Sequence, residues 1–124
     1  MELKFFKCKV CGNIIEKIAD SGVPVSCCGQ PMQELKAGTS DGAVEKHVPV
    51  WKQDGNDVNV VVGEVDHPMV EEHFIEWIVV QTDKGVYRKN LSAGEAPAAD
   101  FKVCDGEKVE AVYAYCNLHG LWKA

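Results

Sequence analysis

Near the C-terminus, Tyr115-Cys116-Asn117-Leu118-His119-Gly120 sets a thiol and an imidazole three residues apart. Gly120 lets the backbone turn behind them, so both side chains can face one metal ion. The chain has four histidines, and the other three, His47, His67 and His73, each lie beside a strand-like run that can carry them to the same point. One cysteine and four histidines make a five-ligand site, whereas structural zinc is almost always four-coordinate and tetrahedral. Imidazole with thiolate suits iron and copper as well as zinc, so the ligand count carries the inference. It points to a mononuclear iron with one position open to a small oxygen species.

A second set of donors lies at the other end of the chain. Cys8-Lys9-Val10-Cys11-Gly12-Asn13 is a metal knuckle, its two-residue spacer letting both sulfurs face one ion. Some fifteen residues on, Val25-Ser26-Cys27-Cys28-Gly29 adds two more thiolates. The CxxC and CC pair together specify a four-sulfur site. Four thiolates hold iron or zinc tetrahedrally. Adjacent cysteines share a peptide and should open the angle between their sulfurs, a distortion that suits a redox iron of the rubredoxin kind.

These donors must be positioned by strands. His47-Val48-Pro49-Val50-Trp51-Lys52 leads into the hairpin turn 53–57, followed by Val58-Asn59-Val60-Val61-Val62. Phe74 to Val80, the Asp83-Lys84-Gly85 turn, Val86 to Leu91, Lys108 to Tyr115 and Leu121 to Ala124 complete the series. Short β-branched runs between turn signals, with almost no helical periodicity, predict a mostly β chain and an antiparallel β-sandwich. The histidines then fall at strand ends and loops, where such folds place function. Lys36-Ala37-Gly38-Thr39-Ser40-Asp41-Gly42-Ala43 is small, polar and glycine-bearing, and reads as a boundary between domains at residues 1–36 and 37–124.

Bulk properties narrow the function further. The chain has 124 residues, 46% hydrophobic, with a net charge of -6. That balance fits a folded soluble protein and argues against a nucleic-acid or anionic-membrane binder. No run reaches the length a membrane helix requires. The opening Met1-Glu2-Leu3-Lys4-Phe5-Phe6-Lys7 is too short and charged for a secretory core, which places the protein in the cytoplasm. In a reducing compartment the six cysteines are better metal ligands than disulfides. Residues 1–36 are too few to bury a core. Leu3, Phe5, Phe6, Val10, Ile14, Ile15 and Ile18 exceed what one knuckle covers, so a homodimer is expected.

Glu45-Lys46-His47-Val48-Pro49-Val50, His67-Pro68-Met69, Glu72-His73-Phe74-Ile75-Glu76-Trp77-Ile78 and the Cys116 motif closely resemble the desulfoferrodoxins, the two-iron superoxide reductases. Cys8, Cys11, Cys27 and Cys28 resemble the desulforedoxin-like domain of that family, and the likeness spans essentially the whole chain. The resemblance implies a desulforedoxin-like knuckle followed by an immunoglobulin-like sandwich. It implies a planar set of His47, His67, His73 and His119 around ferrous iron, with Cys116 axial, opposite the open position. It further implies one-electron reduction of superoxide to hydrogen peroxide, with rubredoxin or a similar donor supplying electrons. Glu45 would occupy the open position in the oxidised state. Lys46 would attract superoxide and aid protonation of the product. The four-sulfur iron would be an accessory centre.

Several residues also have plainer readings. Glu45-Lys46 alone is an ordinary solvated pair, and Cys104, which matches no ligand position, reads as a small core residue. Trp51, Trp77 and Trp122 read as core aromatics, with shielding of iron a second use. Glu76 either orients a ligand histidine or is an exposed strand carboxylate. An electron carrier using both irons and a structural zinc protein are the competing functions. A carrier gains nothing from an open coordination position, and zinc would be colourless.

Overall fold

The computed structural model describes residues 2–40 and 42–124; Met1, and Asp41 within the expected linker, lie outside the described residues. The chain divides into two compact units, Met1–Lys36 and Ala37–Ala124.

In the first unit β1 (Phe5–Lys7) is the middle strand of a small antiparallel sheet, flanked by β2 (Ile14–Glu16) and β5 (Gln33–Leu35). β3 (Ser26–Cys27) and β4 (Gln30–Pro31) form a separate hairpin. Strands of two or three residues bury little. Leu3, Phe5, Cys8 and Met32 are buried, while Val10, Ile18 and Val23 stand exposed.

The second unit begins with a single helical turn, α1 (Val44–His47), which the strand-like reading of this stretch did not anticipate. β6 (Pro49–Asp54) and β7 (Asp57–Val62) form the expected hairpin around Gly55-Asn56. β8 (Ile75–Thr82) and β9 (Val86–Asn90) follow. β10 (Ala98–Lys102), β11 (Val109–Cys116) and β12 (Gly120–Lys123) complete the unit. The strands make two antiparallel sheets, ordered β10-β7-β6 and β12-β11-β8-β9. β10 has no signature in the sequence, because Ala98-Ala99-Asp100 carries little strand propensity. It forms because Val58, Val60 and Val62 on β7 offer Ala99 an apolar face to close over.

Period-2 alternation places those three valines inward, and both sheets feed one cluster with Ile75, Ile78, Val80, Val112, Ala114 and Cys116. A β-bulge interrupts this order where it matters. Tyr115 pairs with Trp77, but Cys116 pairs with Ile75, leaving Glu76 as the extra residue on β8. The extra residue shifts the alternation, which is why Ile75 and Ile78 share one face. Bulges re-aim side chains at strand ends, and this one lies beside Cys116.

The other end of the sandwich is tied by a buried acid. Glu107 is buried and accepts hydrogen bonds from the Tyr87 hydroxyl at 2.9 Å, from the Thr82 hydroxyl and from the Cys104 backbone N–H at 3.0 Å. The Thr82 hydroxyl, first among these donors, holds the carboxyl below the usual range. Cys104 itself is exposed, contrary to its reading as a core residue. It sits in the turn that Glu107 closes, where both its backbone N–H and its thiol bear on the carboxylate.

Candidate metal centres

Four segments deliver the donors of the larger unit. α1 ends at His47, the loop after β7 carries His67, the segment before β8 carries His73, and the β11–β12 hairpin carries Cys116 and His119. Their nearest ligand atoms all lie within 4.8 Å of one another. Within the group, His47 Nε2 lies 3.1 Å from His67 Nε2 and 3.1 Å from His119 Nδ1. The Cys116 sulfur lies 3.8 Å from His119 Nδ1.

The backbone decides which nitrogen faces inward. His47 Nδ1 is 2.7 Å from the Ala43 carbonyl, and His67 Nδ1 is 2.7 Å from the Pro68 carbonyl. A carbonyl only accepts, so each Nδ1 carries the hydrogen and each Nε2 presents a lone pair. Two lone pairs then face each other at 3.1 Å, an arrangement that repels unless a cation lies between them. His73 Nε2 is likewise buried with no hydrogen-bond partner among the described residues. Burial pushes His67 down to about 4, and lowers His47 and His73 in the same direction. These imidazoles are therefore neutral near pH 7, the form that binds metal. Burial pushes the Cys116 thiol up, so ionisation at this sulfur calls for a cation too. The donor set fits a metal ion.

Close packing holds the rings. Trp122 stacks on His47 with centroids 4.9 Å apart, and its indole N–H donates to the His119 carbonyl at 3.0 Å. The tryptophan is a core aromatic that also walls the site. A methyl group on Gly42 would lie 3.2 Å from His47, His119 and Trp122, so part of the expected linker packs against the ligands. At Gly63, with φ +87, an added Cβ would lie 2.7 Å from the Lys46 carbonyl, so only glycine lets the two backbones approach. The Val65 N–H to Glu45 carbonyl bond, 3.0 Å, fixes the same contact.

Glu45 and Lys46 are both exposed on α1. The Lys46 charge acts on His47 and His73, disfavouring the protonated ring of each. Glu45 lies outside the five-donor group and lines a shallow cleft with Val44, Val48, Pro49, Val50 and Glu64. Glu76 makes no hydrogen bond to a ligand histidine among the described residues. It is the bulge residue, and the orienting role falls to Ala43 and Pro68. Those carbonyls could not be read from the sequence, since every residue carries one.

In the first unit Cys8, Cys11, Cys27 and Cys28 also converge within 4.8 Å. Cys28 has φ +53 and Gly29 φ +77. This is the paired left-handed geometry of a tight hairpin turn, here joining β3 to β4. It costs a non-glycine residue about 1 kcal/mol, and it lets adjacent cysteines aim at one point. The Cys11–Cys27 and Cys27–Cys28 sulfurs lie 3.6 and 3.9 Å apart. That brackets the edge of about 3.8 Å for a tetrahedron with metal–sulfur bonds of about 2.3 Å. The Cys11 N–H draws Cys8 down to about 6, while neighbouring thiols, Cys11 first, push Cys28 up to about 12. Four such sulfurs ionise together only around a cation.

Residues 39–124 match the family model described as Desulfoferrodoxin, and residues 1–35 match Desulfoferrodoxin, N-terminal domain. The chain is 48% identical over 122 residues to a desulfoferrodoxin homolog of Archaeoglobus fulgidus, spanning 98% of this chain and 96% of the relative. It is 49% identical over 125 residues to the desulfoferrodoxin of Nitratidesulfovibrio vulgaris, spanning 99% and 96%. Among solved structures it is similar to the superoxide reductase from Treponema pallidum, with a TM-score of 0.85 and 37% identity, covering 100% of this chain and 99% of that one.

Proposed function

The chain belongs to the desulfoferrodoxin family of two-iron proteins, and from that premise we propose how it acts as a superoxide reductase. Superoxide, one electron and two protons give hydrogen peroxide, with no dioxygen formed. The observation that carries this reading is the five-donor group of His47, His67, His73, His119 and Cys116. It has one donor more than structural zinc takes and one fewer than an octahedral ion takes. Iron held there supplies the electron.

The chain's own residues supply the rest. Cys116, buried at the end of β11, contributes the anionic sulfur, and thiolates donate electron density to iron. Lys46 offers a local cation where the net charge of -6 repels an anionic substrate, and with solvent water it delivers protons. Glu45, on the same helical turn, is the carboxylate that would bind the iron in the oxidised protein. Cys8, Cys11, Cys27 and Cys28 hold the accessory iron. A rubredoxin-like donor, a cytoplasmic location and a homodimer complete the proposal. The use of five of the six cysteines as metal donors fits a reducing compartment, and the exposed Val10, Ile18 and Val23 fit self-association.

The test is the yield of peroxide and dioxygen as superoxide is consumed by the reduced, iron-loaded protein. One peroxide per superoxide without dioxygen is expected, and Cys116→Ser should abolish it while the sandwich stays folded. Dioxygen evolved with half the peroxide would make the protein a dismutase. No reaction with superoxide, with both irons cycling, would leave an electron carrier.

A further inference from the structure

Two of the four imidazoles are held through the ring and a third through its backbone. His47 and His67 donate from Nδ1 to the Ala43 and Pro68 carbonyls, and the His119 backbone is anchored by the Trp122 indole. Among the described residues His73 has no such support: Nε2 is buried without a partner, and no hydrogen bond orients the ring. Its segment is also weakly built. Val70 and His73 form an isolated bridge, exchanging N–H to carbonyl bonds of 3.0 Å, with Glu71 and Glu72 exposed between them.

One side chain reaches across to it. The Asn117 Oδ1 accepts from the Phe74 N–H at 3.0 Å, and its Nδ2 donates to the Glu72 carbonyl at 3.1 Å. The Asn117 backbone N–H adds a bond of 3.2 Å to the Phe74 carbonyl. Glu72 and Phe74 are the residues on either side of His73, so the amide clasps the backbone that carries the ring. The task needs a donor and an acceptor on two atoms of one short planar group, which asparagine has; aspartate lacks the donor, serine carries both on a single oxygen, and alanine has neither. Asn117 also directly follows Cys116, so it ties the segment bearing the sulfur ligand to the segment bearing the unsupported imidazole.

We infer that Asn117 is the positioning residue for His73, doing through the backbone what the two carbonyls do for His47 and His67. The inference rests on the five-donor group holding a metal. Groups that orient metal-ligating histidines typically contribute 10–100-fold to metal affinity.

All four histidines of the chain belong to this group, so selective ¹⁵N-histidine labelling observes this site alone. The full-length protein, stripped of metal and loaded with Zn²⁺ as a diamagnetic probe, is followed by the ¹⁵N shifts of its ring nitrogens. In the wild type the preformed cup should impose its five donors on the zinc, so that all four imidazoles show the metal-bound shift; a wild-type His73 that stays at the free shift would overturn the inference as well. In Asn117→Ala the His73 ring alone should return toward the free shift, with zinc affinity lowered about 10–100-fold in chelator competition. Asn117→Asp keeps the acceptor for Phe74 and loses the donor to Glu72, so it should fall between the two. It also provides the comparison if the alanine variant does not fold. Retention of the bound shift by His73 in both variants would overturn the positioning role, as would simultaneous loss of all four signals. Failure of zinc to shift any imidazole in the wild type would remove the metal site, and the inference with it.

Discussion

Replacing Trp122 separates a wall of the metal site from an ordinary core aromatic. The side chain is 4% exposed, lies 4.9 Å from the His47 ring at an interplanar angle of 29°, and donates to the His119 carbonyl at 3.0 Å. Trp122→Ala removes ring and donor together, and truncating a buried tryptophan costs about 3–5 kcal/mol. That is a large part of the roughly 5–15 kcal/mol that holds a domain folded. Trp122→Phe keeps a ring against His47. It loses the hydrogen bond, worth about 1 kcal/mol, and the second ring's contacts, worth about another. The alanine variant should therefore be about twice as destabilised as the phenylalanine variant in urea unfolding followed by near-UV circular dichroism. Zinc affinity at the histidine site should fall about tenfold in the alanine variant, as His47 gains freedom, and much less in the phenylalanine one. A loss below about 1 kcal/mol for Trp122→Ala, or equal effects of the two substitutions, would refute the stacking argument.

Cys28→Ser should disturb the four-sulfur centre and leave superoxide reduction largely intact, since the five proposed ligands all lie in the second unit; stopped-flow measurement with a reductant that feeds the second iron directly checks this. Lys46→Ala should slow the bimolecular reaction with superoxide several-fold at low salt. Because the Debye length shrinks from about 10 Å at 0.1 M to about 3 Å at 1 M, the variant and the wild type should converge at high salt. Identical salt slopes would reject steering. Glu107 is held below its ordinary value in the folded state, so its contribution is present above the unfolded carboxyl pKa and lost as pH falls through the folded one. Glu107→Gln should flatten the acid limb of the stability–pH curve in urea unfolding; an unchanged acid limb would place its charge outside the network's energetics.

The metal donors were legible because their chemistry is written in residue identity. Thiols and imidazoles at these spacings have few other uses, and a β-rich chain with loops between strands can bring them together. What sequence could not show was set by backbone and packing. The Ala43 and Pro68 carbonyls carry no signature. α1 is a single turn held by the Gly63 contact, and the Glu76 bulge appears only when β8 and β11 are paired. β10 owes its formation to a neighbour. Cys104 is exposed because its turn sets it beside the Glu107 carboxylate, a contact that apolar side-chain chemistry does not suggest. Asn117 was in view within the Cys116 motif, but its partners lie more than forty residues away.

The two halves of the chain keep their metal donors in different relations to their apolar cores. Of the five donors in the larger unit, only Cys116 belongs to the hydrophobic cluster that joins the sheets. The sandwich can therefore assemble on valine, isoleucine and leucine contacts before any metal arrives, leaving an imidazole cup to be filled afterwards. In the smaller unit a sulfur, Cys8, is itself among the few buried residues, and the strands around it are two or three residues long. Sites of that kind bind and fold in one event. This contrast predicts two routes for iron, one as cargo taken up by a finished fold and one as the template on which the fold is made. When iron is scarce, the enzyme's sandwich should still mature while its N-terminal partner waits unformed.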